Sequence, residues 1–167
     1  MPSWLVSSGS PQGWVMGALL WAFALGYWDV FHRRVPNLLV FGAAALSLVS
    51  LAVTGSSPLG AGGWSMLGAS GLALLLTLPG YLTNKLGAGD VKLLLAVALF
   101  GGVTVTLITF VIGALVTVGV AGAFLMLGGR YGLQSATGKY LPFGAALALG
   151  FGVALVCKQA GGLPWLL

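Results

Sequence analysis

Long apolar runs broken by short polar stretches set the pattern of this chain. Residues 1–12 form a polar tail rich in Ser, Gly and Pro. The first run, Trp14 to Val30, carries Trp14, Trp21, Tyr27 and Trp28, aromatic residues that anchor helix ends at a membrane surface. A basic connection follows, Phe31-His32-Arg33-Arg34-Val35-Pro36-Asn37, in which Pro36 stops any helix from upstream and can start the next. The second run is Leu38 to Val53 and the third Trp64 to Leu82, with an uncharged loop from Thr54 to Gly63 between them. Pro79-Gly80 is expected to loosen the end of the third run.

The stretch from Leu93 to Gly128 has no charge. As one helix it would be about 54 Å long, against a hydrocarbon core of about 30 Å. Gly101-Gly102 offers a turn, so the pattern predicts a short fourth span, Val91 to Phe100, and a fifth, Val103 to Leu127. Arg130 to Tyr140 is a polar connection, and the sixth span runs from Leu141 to Val156. The prediction is an all-α bundle of six transmembrane helices in a single domain. Residues 13–157 make the bundle and 158–167 a short tail.

Composition agrees. Charged residues are 5% of the 167 and hydrophobic ones 59%, with a mean hydropathy of +1.06. Soluble domains carry roughly a quarter charged residues, so the lipid bilayer is the expected solvent. The net charge of +5 could suggest nucleic acid, but the basic residues are single or paired and border the apolar runs. No nucleic-acid partner is expected; the charges read as orientation signals. With the N-terminus outside, Arg33, Arg34, Lys85, Lys92, Arg130 and Lys139 all face the cytoplasm, and only Lys158 lies outside. Ala22-Phe23-Ala24 resembles a signal-peptide cleavage site, but no positive charge precedes Trp14, so the first run is expected to be a retained span.

Small residues recur at helical spacing, Gly144, Ala148 and Gly152 in the sixth span and Gly113, Thr117 and Ala121 in the fifth, which reads as helix packing. Cys157 is the sole cysteine, so an internal disulfide and a Cys-based zinc site are both excluded. No metal or cofactor is expected.

Only two acids occur in the chain, Asp29 and Asp90, each at the end of an apolar run. The orientation above puts both at one membrane face. Two carboxylates held close do not both ionise readily. The ionised member can take a proton from water while the protonated member donates to an amide carbonyl, a cofactor-free route to peptide hydrolysis. A Cys157–His32 pair would be split across the two faces, whereas composition leaves a serine nucleophile with a lysine base open. Structural roles compete at each position: Asp90 as a helix cap, Asp29 as a partner of Arg33, Lys92 as a side chain snorkelling to the interface and His32 as an interface residue. Gly87 and Gly89 lack Cβ atoms, which permits a sharp bend and close approach of a substrate backbone. The loop bearing Asp90 is expected to be mobile, with substrate bringing it to Asp29.

Three segments resemble motifs of the prepilin peptidases, GxGD membrane aspartic proteases. Gly87-Ala88-Gly89-Asp90-Val91-Lys92 is similar to their GxGD motif with a lysine two positions on. Asp29 through Pro36-Asn37 resembles their first motif, an Asp followed by a basic stretch and Ile-Pro-Asn, with Val35 in place of Ile. Leu141-Pro142-Phe143-Gly144 resembles their late Pro-Phe-Gly motif, with Ala145 where many members have a second Pro.

The resemblance implies an aspartic endopeptidase of the bacterial inner membrane that cuts the basic leader from type IV prepilins at the cytoplasmic face. It implies Asp29 and Asp90 as the catalytic pair, with Gly87, Gly89, Lys92, Pro36, Asn37, Pro142, Phe143 and Gly144 in support. The chain has no paired Cys-x-x-Cys motifs, and so resembles the short, peptidase-only form of Flp/Tad-type pili, for which no N-methyltransferase activity is expected. An archaeal preflagellin-type peptidase is the nearest relative reading. Two readings of other classes stand beside it: a proton- or cation-coupled transporter or channel using Asp29 and Asp90, and a non-catalytic pilus-assembly subunit.

Overall fold

The computed structural model describes residues 11–32, 36–84, 86–131 and 143–159. All of its regular elements are helices: α1 Pro11–His32, α2 Asn37–Thr54, α3 Gly63–Leu82, α4 Ala88–Tyr131 and α5 Phe143–Gln159. Among the described residues the only β pairing is the isolated Ser56–Gly62 bridge. Four helices are long and apolar enough to cross a membrane, and α5 is a shorter apolar one. Large apolar side chains such as Phe23, Leu38 and Trp64 point outward, as they do in a protein solvated by lipid.

The predicted break in the long uncharged stretch is real, and α4 consists of two helical arms. α4 is interrupted at Gly102, where φ is 77° and ψ −169°, a region essentially reserved for glycine. Residues 88–101 make a short arm and 103–131 a long one. The short arm runs alongside α5 in the same sense, with Asp90 near Gly144 and Phe100 stacked edge-on to Phe151. The long arm runs back: Gly150 abuts the Thr109 carbonyl, and Gly113, further along, abuts Leu147. Chain direction therefore reverses at Gly102. Backbone groups exposed by such a turn need internal partners in a bilayer, and the Val103 N–H donates to Ser65 Oγ at 3.3 Å.

Helix ends follow local chemistry. Pro36, extended at φ −67° and ψ 120°, sits at the N-cap of α2. Gly55 ends α2 in the left-handed region, its N–H bonded to Leu51 O at 2.9 Å. Pro79 and Gly80 lie in the last turn of α3, which ends at Leu82 as expected. Only one turn remains beyond the proline, and the Thr83 N–H still reaches Pro79 O at 3.2 Å.

α5 packs between α1 and the long arm of α4 through small residues. A Cβ on Gly26 would lie 3.3 Å from Ala148 Cβ, and one on Gly113 would lie 2.9 Å from Leu147 Cδ2. This is the close approach expected where lipid removes the hydrophobic drive and cohesion comes from packing. Trp21 of α1, Phe100 of α4 and Phe151 of α5 form one aromatic layer, with centroids 5.7–6.3 Å apart. The Trp21 Nε1–H donates to Leu39 O at 3.0 Å, which ties α1 to α2. Buried Ser47, Thr77 and Thr106 each donate to the carbonyl four residues back, so these hydroxyls are satisfied inside the bundle.

Gly102→Ala is expected to cost at least about 1–3 kcal/mol from backbone strain alone, with a further clash because the new Cβ would lie 2.6 Å from Ser65 Oγ and 2.7 Å from Ala61 Cβ. Gly119→Ala, where a Cβ meets nothing within 4 Å, is the control. Thermal unfolding in detergent should show a lowered Tm for the first variant only.

Candidate active site

α1 buries Ala18, Ala22 and Leu25 along one face, and Asp29 continues that stripe. Asp29 is therefore directed into the bundle and is only 7% exposed. There it meets the first turn of α5. The Ala145 N–H donates to Asp29 Oδ2 at 2.9 Å. The first N–H groups of a helix have no partner within it, and its N-terminus favours negative charge, so this is a site matched to a carboxylate.

Asp90 comes from α4, as the third residue of that helix. The Gly87 N–H donates to Asp90 Oδ2 at 3.1 Å, and the Asp90 N–H donates to Gly87 O at 3.1 Å. This is the return half of a capping box, so the capping role weighed from the sequence is present. It occupies one oxygen only. Asp90 Oδ1 points the other way, to the place where Asp29 lies.

The two meet at Gly144. A Cβ on that residue would lie 2.8 Å from Asp29 Oδ2 and 3.3 Å from Asp90 Oδ1. The two oxygens are thus no further apart than the sum of those distances, and the space between them exists because residue 144 has no side chain. Each carboxylate is oriented by one backbone N–H and presents to the other across this gap. Among the described residues no group of three or more His, Cys, Asp and Glu could hold a metal ion.

In this arrangement both carboxylates lie against Gly144, and contacts with α3 hold the loop that precedes Asp90. Leu86 lies on Gly80, where any Cβ would overlap it, and its N–H donates to Gly80 O at 3.0 Å. Asn84 takes the left-handed conformation at φ 55°, and its N–H reaches Tyr81 O at 3.0 Å. The sharp bend expected at Gly87 and Gly89 is therefore made by Asn84 instead; neither glycine has a positive φ.

The other predicted positions divide. Asn37 Oδ1 accepts from Lys92 Nζ at 3.3 Å, and Lys92 also lies 5.6 Å over the Phe41 ring. Phe143 packs edge-on to Phe110 at 6.5 Å. His32 stacks on Trp28 at 4.7 Å. Pro142, and Arg33 as the alternative partner of Asp29, lie outside the described residues. The contribution missed in the sequence is the Ala145 N–H. A backbone donor leaves no mark in residue type, and its one signal is the short Phe143-Gly144 motif at a helix start.

Two carboxylates brought to one glycine at the ends of apolar helices define a membrane protein with an acid pair at one end of its bundle. The sequence pattern of the type IV leader peptidase family matches residues 16–122, a stretch that contains both aspartates, and the chain belongs to that family. Its function is of that general kind, an aspartic-type leader peptidase. No curated protein and no solved structure matches the chain.

Gly144→Ala would place a methyl group against both carboxylates and is expected to lower leader cleavage by about a hundredfold, since misplacing reacting groups by about 1 Å has a cost of that order. Gly152→Ala, whose Cβ would meet only Leu19 Cδ2 at 3.9 Å, should retain activity. Comparing cleavage rates of the two variants at matched expression checks this.

Proposed function

We propose that the chain is a membrane-embedded aspartic endopeptidase that removes the basic leader from Flp-type prepilins at the cytoplasmic face of the bacterial inner membrane. The observation that carries this reading is the convergence of Asp29 Oδ2 and Asp90 Oδ1 on the gap at Gly144. Water in that gap gives a proton to the ionised carboxylate and attacks the scissile carbonyl. The protonated carboxylate hydrogen-bonds the carbonyl oxygen and passes its proton as the tetrahedral species forms. Collapse then expels the amine, which leaves with the proton first taken from water. No group beyond the two acids and water is required.

The topology belongs to the same proposal: six crossings, with the N-terminus outside. The reversal at Gly102 supports it, because it turns one overlong helix into two segments of opposite sense. Asp29 lies in the last turn of α1 and Asp90 in the first turn of α4, so both acids would sit at the cytoplasmic surface. That location suits a substrate whose leader is basic and whose following helix is apolar, and it suits a transport path through mid-membrane poorly. Exposed Gly87 and half-buried Gly89 leave the approach to Asp90 free of side chains.

A leader-bearing Flp-type prepilin co-embedded in membranes tests the reading. Wild type should cleave it, and Asp29→Asn and Asp90→Asn should each lose at least about a hundredfold in rate. Normal processing by either variant would sink the pair. The pH profile of kcat/KM should be bell-shaped. Activity falls on the acid side as the base is protonated, and on the alkaline side as the acid loses its proton.

A further inference from the structure

Lys92 follows Asp90 by two residues on the short arm, so the two side chains leave the helix in different directions. Asp90 turns toward α1 and α5, while Lys92 turns toward α2. Its ammonium donates to Asn37 Oδ1 at 3.3 Å and lies 5.6 Å over the Phe41 ring. Asn37 and Phe41 are four residues apart on the first turns of α2, hence on one face of it. Both partners are neutral, and Lys92 is half-buried.

This placement is not what electrostatics alone selects. The ammonium sits near the N-termini of two helices, α2 and α4, where a cation is disfavoured. A flexible lysine at the interface has water within reach. Asp90 is two residues away on the same helix, yet the contacts Lys92 makes are the amide oxygen and the ring. An ion pair with Asp90 would neutralise the very carboxylate that must exchange a proton. Held on Asn37 and Phe41, the ammonium instead pins the first turn of α4 to the first turn of α2. Among the described residues the hydrogen bond to the Asp90 side chain is that of its own helix cap at Gly87.

We propose that Lys92 is a positioning residue for the carboxylate pair, acting through Asn37: the Lys92–Asn37–Phe41 contact fixes the azimuth of the short arm and so aims Asp90 Oδ1 at Asp29. The role rests on the peptidase reading above. It makes Asn37 and Lys92 one functional unit, joining two distant segments of the chain.

The test is a double-mutant cycle on prepilin cleavage in membranes. Lys92→Met and Asn37→Leu should each lower kcat by about a hundredfold, the scale expected when a reacting group is misplaced, with KM within about twofold. The double variant should be no slower than the slower single. The exchange variant Asn37→Lys with Lys92→Asn should recover rate by restoring the contact in reverse. Additive losses, a rise in KM with kcat intact, or no recovery in the exchange variant would overturn the proposal while leaving the peptidase reading in place. Failure of wild type to cut any leader-bearing prepilin would instead overturn that reading. A measurement independent of activity covers variants that fold poorly. In a Cys157→Ser background, Asn37→Cys and Lys92→Cys should be joined by a short thiol cross-linker in intact membranes, and absence of the product would overturn the contact.

Discussion

A carboxylate at the edge of a lipid bilayer is costly unless something answers it, and here the answer for Asp29 is the Ala145 N–H at the start of α5. That single hydrogen bond sets much of the architecture. It requires the N-terminus of α5 to meet the C-terminal turn of α1, which fixes the two helices antiparallel. It also places Gly144 against both acids, so that the short arm of α4 can approach from the other side. Three helix ends thus meet at one point, and each supplies one thing: a carboxylate, a second carboxylate, and a backbone amide left over by its own helix, with no side chain in the way.

Further from that point the bundle is held by shape. Gly26 against Ala148, Gly113 against Leu147 and Gly150 against the Thr109 carbonyl let the helices approach to backbone distance. The Trp21, Phe100 and Phe151 rings then fill one layer across α1, α4 and α5. Since lipid tails are as apolar as leucine, this packing and the internal hydrogen bonds, more than hydrophobic burial, hold the pair of acids in register. Rigidity two turns below the site is therefore part of how the site works.

Much of this was legible in the sequence, for identifiable reasons. Asp29 and Asp90 stand out because a chain dissolved in lipid has few acids, so each remaining one is conspicuous. The reversal at Gly102 is legible because an uncharged stretch of that length exceeds the bilayer and the only paired glycines near its start are Gly101-Gly102. What the sequence hides is backbone chemistry. The Ala145 donor belongs to no residue type. The left-handed turn falls on Asn84, which competes with nearby glycines that look better suited to it. The seat of Leu86 on Gly80 is a tertiary contact that residue types alone do not announce.

The length of the short arm has a consequence of its own. At about 1.5 Å per residue, residues 88–101 reach only about 21 Å, well short of the hydrocarbon thickness of about 30 Å. Yet no residue from 89 to 102 is exposed, and the turn at Gly102 rests against Ala61 and Ser65. The other helices enclose the arm, so its shortness is answered by protein and not by lipid. A segment too short to face a bilayer unaided can therefore carry Asp90.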